Sequence, residues 1–245
     1  MSDDRIADVR SISDDAPREV NVHRLTIRID ASTPNYPKVR LLIDGEDLLA
    51  STGNNEGNDP ADILDTGALL PVEPARRIAF YGCGCGEFGC ANVAGVITRR
   101  DDRIEWTDFR SLTGVYHSAL CEPEDGPDPA TTDEWDAPSR RHDLPTLSFD
   151  AADYLVVVRE AMADRSWETR PRAVIRHIRA RRPEMKHWAA RHGESITVHH
   201  LVNGMAWSTD LPVPSGPPDR LAVGLVALLD QGVDPRAIEV GNMWA

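Results

Sequence analysis

Three of the chain's four cysteines fall within ten residues, Tyr81-Gly-Cys-Gly-Cys-Gly-Glu-Phe-Gly-Cys90, together with four glycines. A thiolate-bound zinc needs sulfurs about 2.3 Å from the metal, roughly tetrahedral, with amide hydrogens turned toward the negative sulfurs. This spacing suits that requirement. Cys83 and Cys85, two apart in an extended segment, point to the same side, the glycines permit a tight curl, and Cys90 returns from across the turn. A fourth ligand must come from elsewhere. Cys121 is the natural candidate and His117 the alternative, since both follow a strand expected at Ile104 to Phe109 that returns the chain toward the turn. Two other readings of the same thiols stand beside zinc. They can be small buried hydrophobes next to turn glycines, or redox-active or reactive groups. Against the latter, a Cys-x-Cys disulfide is strained and no Lys, Arg or His lies in the turn to lower a thiol pKa.

Other chemistry is thinner. Glu87, Glu105 and Asp108 are acid–base candidates near the cysteine turn, although a carboxylate at a strand end is ordinarily solvated. Arg172, Arg176 and Arg179 recur at helical spacing and can share one face, which would suit an anion or nucleic-acid contact. Adjacent His199 and His200 point oppositely in a strand and cannot chelate one metal together. No nucleophile elbow, His-Glu-x-x-His pair, Walker loop or dinucleotide fingerprint occurs.

The run Cys-Gly-Cys-Gly-Glu-Phe-Gly-Cys (83–90) resembles the post-SET zinc motif of SET-domain methyltransferases, in which a fourth cysteine comes from outside the run. That resemblance implies a coordination geometry and not methyl transfer, because no SET-domain signature precedes the run. The same run, with "IEWTDFR", "FDAADY" and "ADRSWE", also resembles an uncharacterised protein family of high-GC bacteria in which a Cys-x-Cys-Gly-x-x-Gly-Cys turn sits between strands. The resemblance spans roughly residues 20 to 170 and implies no activity.

The elements that must position these groups are legible from periodicity and turn chemistry. Val20 to Asp30 and Val39 to Ile43 read as strands joined toward a tight turn at Asp44-Gly45, and Ser51 to Asp59, without an apolar residue, reads as a mobile loop. Asp59-Pro60 suits an N-cap and first helical position. Strands at Arg77 to Tyr81, Val93 to Thr98 and Ile104 to Phe109 make an antiparallel meander with the cysteine turn between the first two. Glu122 to Pro138 holds seven acidic residues, four prolines and no basic one, the composition of an extended linker. Beyond it Asp150 caps a helix over Ala151 to Asp164, and Pro171 opens a second with Val174, Ile175 and Ile178 inward. Asn203-Gly204 joins a hairpin with Val202 opposite Met205 and His200 opposite Trp207, His200 packing beside the indole. An apolar helix from Pro218 to Gln231 stops at Gly232.

These features predict an α+β fold: an antiparallel N-terminal sheet with the cysteine turn, then helices and a C-terminal hairpin with one apolar helix. The expected organisation is a polar tail (1–19), a β-rich module (20–121), an acidic linker (122–145) and an α+β module (146–245). The first ten residues lack a signal-peptide core and no apolar run spans a membrane, so the expected address is cytoplasmic, where cysteines stay reduced. The net charge of −13 disfavours nucleic acid and anionic lipid. It is unevenly placed: nine Arg and Lys against two Glu give Arg165 to His192 a charge of +7 and leave −20 elsewhere. Two functions follow. The favoured one is a non-enzymatic interaction or regulatory protein, of the immunity or antitoxin kind, whose acidic body docks a basic protein partner and whose turn holds Zn2+ structurally. The alternative is a zinc-dependent or thiol enzyme.

Overall fold

The computed structural model describes residues 21–47, 49, 55–84, 90–113, 119–120, 139–183, 193–202 and 205–239. The architecture is α+β, as the sequence patterning predicts. Its centre is a seven-stranded sheet. In chain order the strands are β1 (Val22–His23), β2 (Leu25–Asp30), β3 (Lys38–Ile43), β4 (Asn55–Gly57), β5 (Arg77–Cys83), β6 (Asn92–Arg100), β7 (Arg103–Leu112), β8 (Ser139–Arg141), β9 (Leu147–Asp150), β10 (Ser195–Val202) and β11 (Met205–Pro212). The large sheet runs β1-β9-β7-β6-β5-β4, with β8 also on β7; β2 pairs β3, and β10 pairs β11. The meander β5-β6-β7 is antiparallel as expected, while β1 lies parallel to β9 and makes the sheet mixed.

Two expected boundaries move. The run Val20 to Asp30 does not form one strand: β1 joins the large sheet and β2 the small one, with Arg24 between them donating its amide to Asp44 Oδ1 (2.8 Å). The expected loop at Ser51 to Asp59 contains β4, which pairs with β5. Polarity misleads there because β4 is short and held by its backbone. A methyl group added at Gly57 would fall inside the Val39 carbonyl oxygen and 2.8 Å from the carbonyl carbon, so only glycine allows β3 to pass this close. The Val39 amide then donates to Asn58 O at 2.8 Å, linking the small sheet to the large one.

The helices are α1 (Pro60–Ile63), α2 (Ala151–Ala163), α3 (Arg170–Arg181) and α4 (Pro218–Asp230). Asp59 caps α1 and Asp150 caps α2 through side-chain oxygens that accept backbone amides, as their positions before each helix predict. Helix α4 ends in a Schellman arrangement: Gly232, at φ 75°, donates to Leu229 O and Val233 to Leu228 O. The hairpin β10-β11 has the expected register, Val202 opposite Met205 and His200 opposite Trp207. Asn203-Gly204, and the side chains of His200 and Trp207, lie outside the description.

Burial divides into two cores. The first joins the sheets and α2 through Phe80, Trp106, Phe149 and Tyr154, with Trp106 4.4 Å from Phe80 and edge-on to Tyr154 at 6.1 Å between ring centroids. The Tyr154 hydroxyl accepts from Trp106 Nε1 (3.1 Å) and donates to Leu69 O (2.8 Å), so its polar end is satisfied inside the core. The second core joins α3, α4 and the hairpin through Val174, Ile178, Ile196, Val198, Leu221 and Leu225. The division between cores therefore falls between α2 and α3, not at the acidic linker: β8 lies inside the expected 122–145 span, β9 and α2 follow it, and they belong to the large sheet and its core. Proline and acid content shows that a stretch cannot fold alone; it does not show where the next strand pairs. Among the described residues no helix is long and apolar enough to cross a membrane.

Candidate functional site

Strands β5 and β6 deliver the two described cysteines to the two limbs of one hairpin connection. The Cys83 amide donates to Ala91 O at 2.9 Å, closing the ladder just below the turn. Cys83 is half-buried and Cys90 exposed. A carboxylate stands beside the β5 limb: a methyl at Gly84 would lie 3.1 Å from Glu56 Cδ, and Glu56 is ion-paired with Lys38. Gly82 fits under the turn for a similar reason, since a methyl there would meet Asn58 Oδ1 at 2.7 Å. Asn58 is held by donating from Nδ2 to Ala79 O (2.7 Å). The glycines at 82 and 84 thus make room for polar side chains packed around the limb that carries Cys83. Cys85, Glu87, His117 and Cys121 lie outside the described residues, and among the described residues no three metal-binding side chains cluster. The chain does come back toward β5 after β7: Ala119 O accepts from Ala79 N at 2.8 Å, four residues before Cys83 on its strand.

A second constellation lies two strands away and was largely hidden in the sequence. Between the pairs Val96–Thr107 and Ala94–Arg110, β6 has one residue, Gly95, while β7 has two, Asp108 and Phe109. This is a β-bulge with Asp108 at φ 47°, a left-handed conformation uncommon outside glycine. Gly95 makes the bulge fit, because a methyl there would approach Phe80, Thr107 O and Phe109 at 2.9 to 3.2 Å. The bulge aims Asp108 at three arginines. Its carboxylate accepts from Arg77 Nη2 (2.6 Å), Arg110 Nε (3.0 Å) and Arg141 Nη2 (3.0 Å), and its carbonyl accepts from Arg77 Nη1 (2.8 Å). Burial pushes the Asp108 carboxyl up, but the hydrogen bonds from Arg77 and Arg110 outweigh that and hold its pKa below the ordinary carboxylate value. Asp108 is therefore no ordinary solvated strand-end acid. Glu105, by contrast, sits beside Arg100 at 2.9 Å as a surface pair. A glycine inside the β6 pattern opposite an aspartate inside the β7 pattern was the available signal.

The arginines of α3 do not form one open anion-binding face. Arg172 is buried and bonds Asp59 (2.8 Å) and Asn35 O (2.8 Å), with its guanidinium 5.7 Å from the Trp167 ring centroid. Arg176 grips Glu168 with two bonds, at 2.7 and 2.9 Å. Arg179 is half-buried in the same helix. Helical spacing places residues on faces but does not say what the rest of the chain brings to them.

No protein-family model, curated protein or solved structure matches the chain.

Proposed function

We propose that this chain is an interaction or regulatory protein, of the immunity or antitoxin kind, that docks a basic protein partner through an acidic surface. The observation that carries the reading is the internal use of the basic segment. Arg165 pairs with Asp65, Arg172 with Asp59, Arg176 with Glu168 and Arg182 with Asp230. With those four cations paired to the chain's own carboxylates, a chain of net charge −13 keeps an excess of negative charge toward an approaching molecule. A partner of opposite sign gains encounter rate and register from that field. The test is affinity capture at low ionic strength, identification of the retained protein, and reconstitution with that protein purified. The expected result is a one-to-one complex with a basic partner that weakens steeply as salt rises. Finding none, or one indifferent to salt, defeats the reading.

Within the same proposal Zn2+ has a structural role at the cysteine turn, held by Cys83, Cys85, Cys90 and Cys121, with His117 as the alternative fourth ligand. Support comes from the two described thiols on facing limbs of one connection and from Ala119 returning to β5. A reducing cytoplasm would keep such thiols available to the metal. Anaerobic native mass spectrometry should show about one zinc per chain, lost in Cys83→Ser or Cys90→Ser. Metal-free protein of full stability removes the zinc. The exposure of Cys90 favours one second reading, a zinc-dependent or thiol enzyme, which a metal bound by three cysteines and water would support.

A further inference from the structure

Among the described residues no helix or strand of the first core packs broadly on one of the second. The chain passes from one core to the other once, through the connection between α2 and α3, residues 164–169. Two arginines from the far side of that passage reach back. Arg165 bonds Asp65, while Arg172 bonds Asp59 through Nη1 and the Asn35 carbonyl through Nη2, both at 2.8 Å. Asp59 precedes α1 and Asp65 follows it, so α1 is gripped at both ends, and Ile63 and Leu64 root it in the first core. Helix chemistry does not explain these cations. The first turn of α3 holds Arg170 and Arg172 and no acid, although positive charge at a helix N-terminus opposes its dipole. Asp59 is fixed by accepting the Ala61 amide (2.9 Å), and the Trp167 ring centroid lies 5.7 Å from the Arg172 guanidinium. The grip is firm but incomplete: the Arg172 side chain is 8% exposed, yet among the described residues its Nε has no hydrogen-bond partner, so closure leaves a buried donor unsatisfied. A small polar seam of this kind permits relative motion where a large apolar one does not.

We infer that α3, the β10-β11 hairpin and α4 form one body that hinges on residues 164–169 and is locked to the large-sheet body by the Arg165 and Arg172 clasp. Release of both pairs frees that body to reorient while each core stays intact. The connection has the form of a hinge. Helix α2 ends at an extended Asp164, whose side chain accepts from the Ser166 amide (2.8 Å) and whose carbonyl accepts from Trp167 Nε1 (2.9 Å), contacts made within the connection itself. The device requires neither zinc nor a partner.

The test is measurement of backbone-amide residual dipolar couplings on the full chain, weakly aligned in a neutral medium, with the two bodies fitted separately. In wild type one alignment tensor should describe both. In the Asp59→Asn/Asp65→Asn double variant, whose changes both lie in the large-sheet body, the tensor magnitude of the α3–α4 body should fall about twofold relative to the other. Amide shifts in β6, β7 and α4 should keep their wild-type values, because both cores remain folded. Should the double variant fail to fold, Asp59→Asn alone takes its place and should separate the tensors in the same direction, since asparagine caps α1 as aspartate does. Arg236→Ala, which breaks an exposed pair with Asp234 inside the second body, should leave a single tensor. Two tensors already in wild type, or a single tensor in the clasp variant, overturns the lock.

Discussion

Gly57→Ala is the substitution whose outcome the close approach of β3 and β4 fixes most sharply. The added methyl would sit 2.8 Å from the Val39 carbonyl carbon, where carbon atoms prefer about 3.5 Å or more, so the strands must part by at least about 0.7 Å. The 2.8 Å bond from the Val39 amide to Asn58 O then stretches to about 3.5 Å, beyond useful hydrogen-bonding range. Leaving that buried amide unsatisfied costs about 1–3 kcal/mol. Forcing apart the packing around Val39 and Leu41, both fully buried, adds about 1–3 kcal/mol. The expected loss is therefore about 2–6 kcal/mol, or a factor of about a thousand in the folding equilibrium at the midpoint. Urea unfolding followed by tryptophan fluorescence measures it. Gly45→Ala is the comparison: Gly45 has φ 92° with nothing within 4 Å of an added methyl, so only conformational strain of about 1–2 kcal/mol applies. If Gly57→Ala costs no more than Gly45→Ala, steric contact between β3 and β4 is not what requires the glycine, and the reasoning fails.

Three further outcomes follow from the same interactions. Tyr154→Phe removes the acceptor for Trp106 Nε1 and the donor to Leu69 O inside the first core, and should cost about 2–3 kcal/mol in urea unfolding with little change in m-value. Asp150→Ala removes the cap that accepts from the Ala152 and Asp153 amides, with an expected loss of about 1 kcal/mol, recovered largely by Asp150→Asn. Asp108 titrates below its ordinary value when folded, so its contribution is fully present above the unfolded pKa of 3.8 and is lost as pH falls through the lower folded value. Melting temperature measured through that acidic range should accordingly fall less steeply in Asp108→Asn than in wild type.

What could be read from the sequence, and what could not, follows from the range over which each signal acts. Local chemistry transferred well. Asp59 and Asp150 cap their helices, Asp44 and Gly45 both take positive φ at their turn, Gly232 ends α4, and the β10-β11 register is the one expected from an Asn-Gly step. Each depends on a few neighbouring residues. Long-range pairing did not transfer. The polarity of "NNEGND" hid an edge strand whose glycine answers to Val39, and the acidic stretch hid the return of β9 to the large sheet between β1 and β7. The same limit applies to the charged groups. Spacing put Arg172 and Arg176 on a helix face but could not reveal that Asp59 and Glu168 were waiting for them. For the cysteines, strand patterning placed the turn between β5 and β6, where Cys83 and Cys90 are found. The bulge that gathers three arginines around Asp108 needed the pairing of two strands to be known before its one extra residue had meaning.

The small sheet has a consequence beyond fold. A strand with one row of unused amides invites a strand from another molecule, the usual first step of edge-to-edge aggregation. On β3 the alternate amides facing away from β2 are closed individually: Val39 donates to Asn58 O, Leu41 to the Tyr81 hydroxyl at 3.0 Å, and Ile43 to Glu46 O. The Tyr81 hydroxyl in turn donates to Asp47 at 2.7 Å, so one side chain imitates the carbonyl of a missing neighbour. Tyr81 therefore completes the hydrogen bonding of a strand edge that lies inside the molecule. A variant without that hydroxyl would leave the Leu41 amide buried and unpaired, so its first symptom would be a loss of stability of about 1–3 kcal/mol.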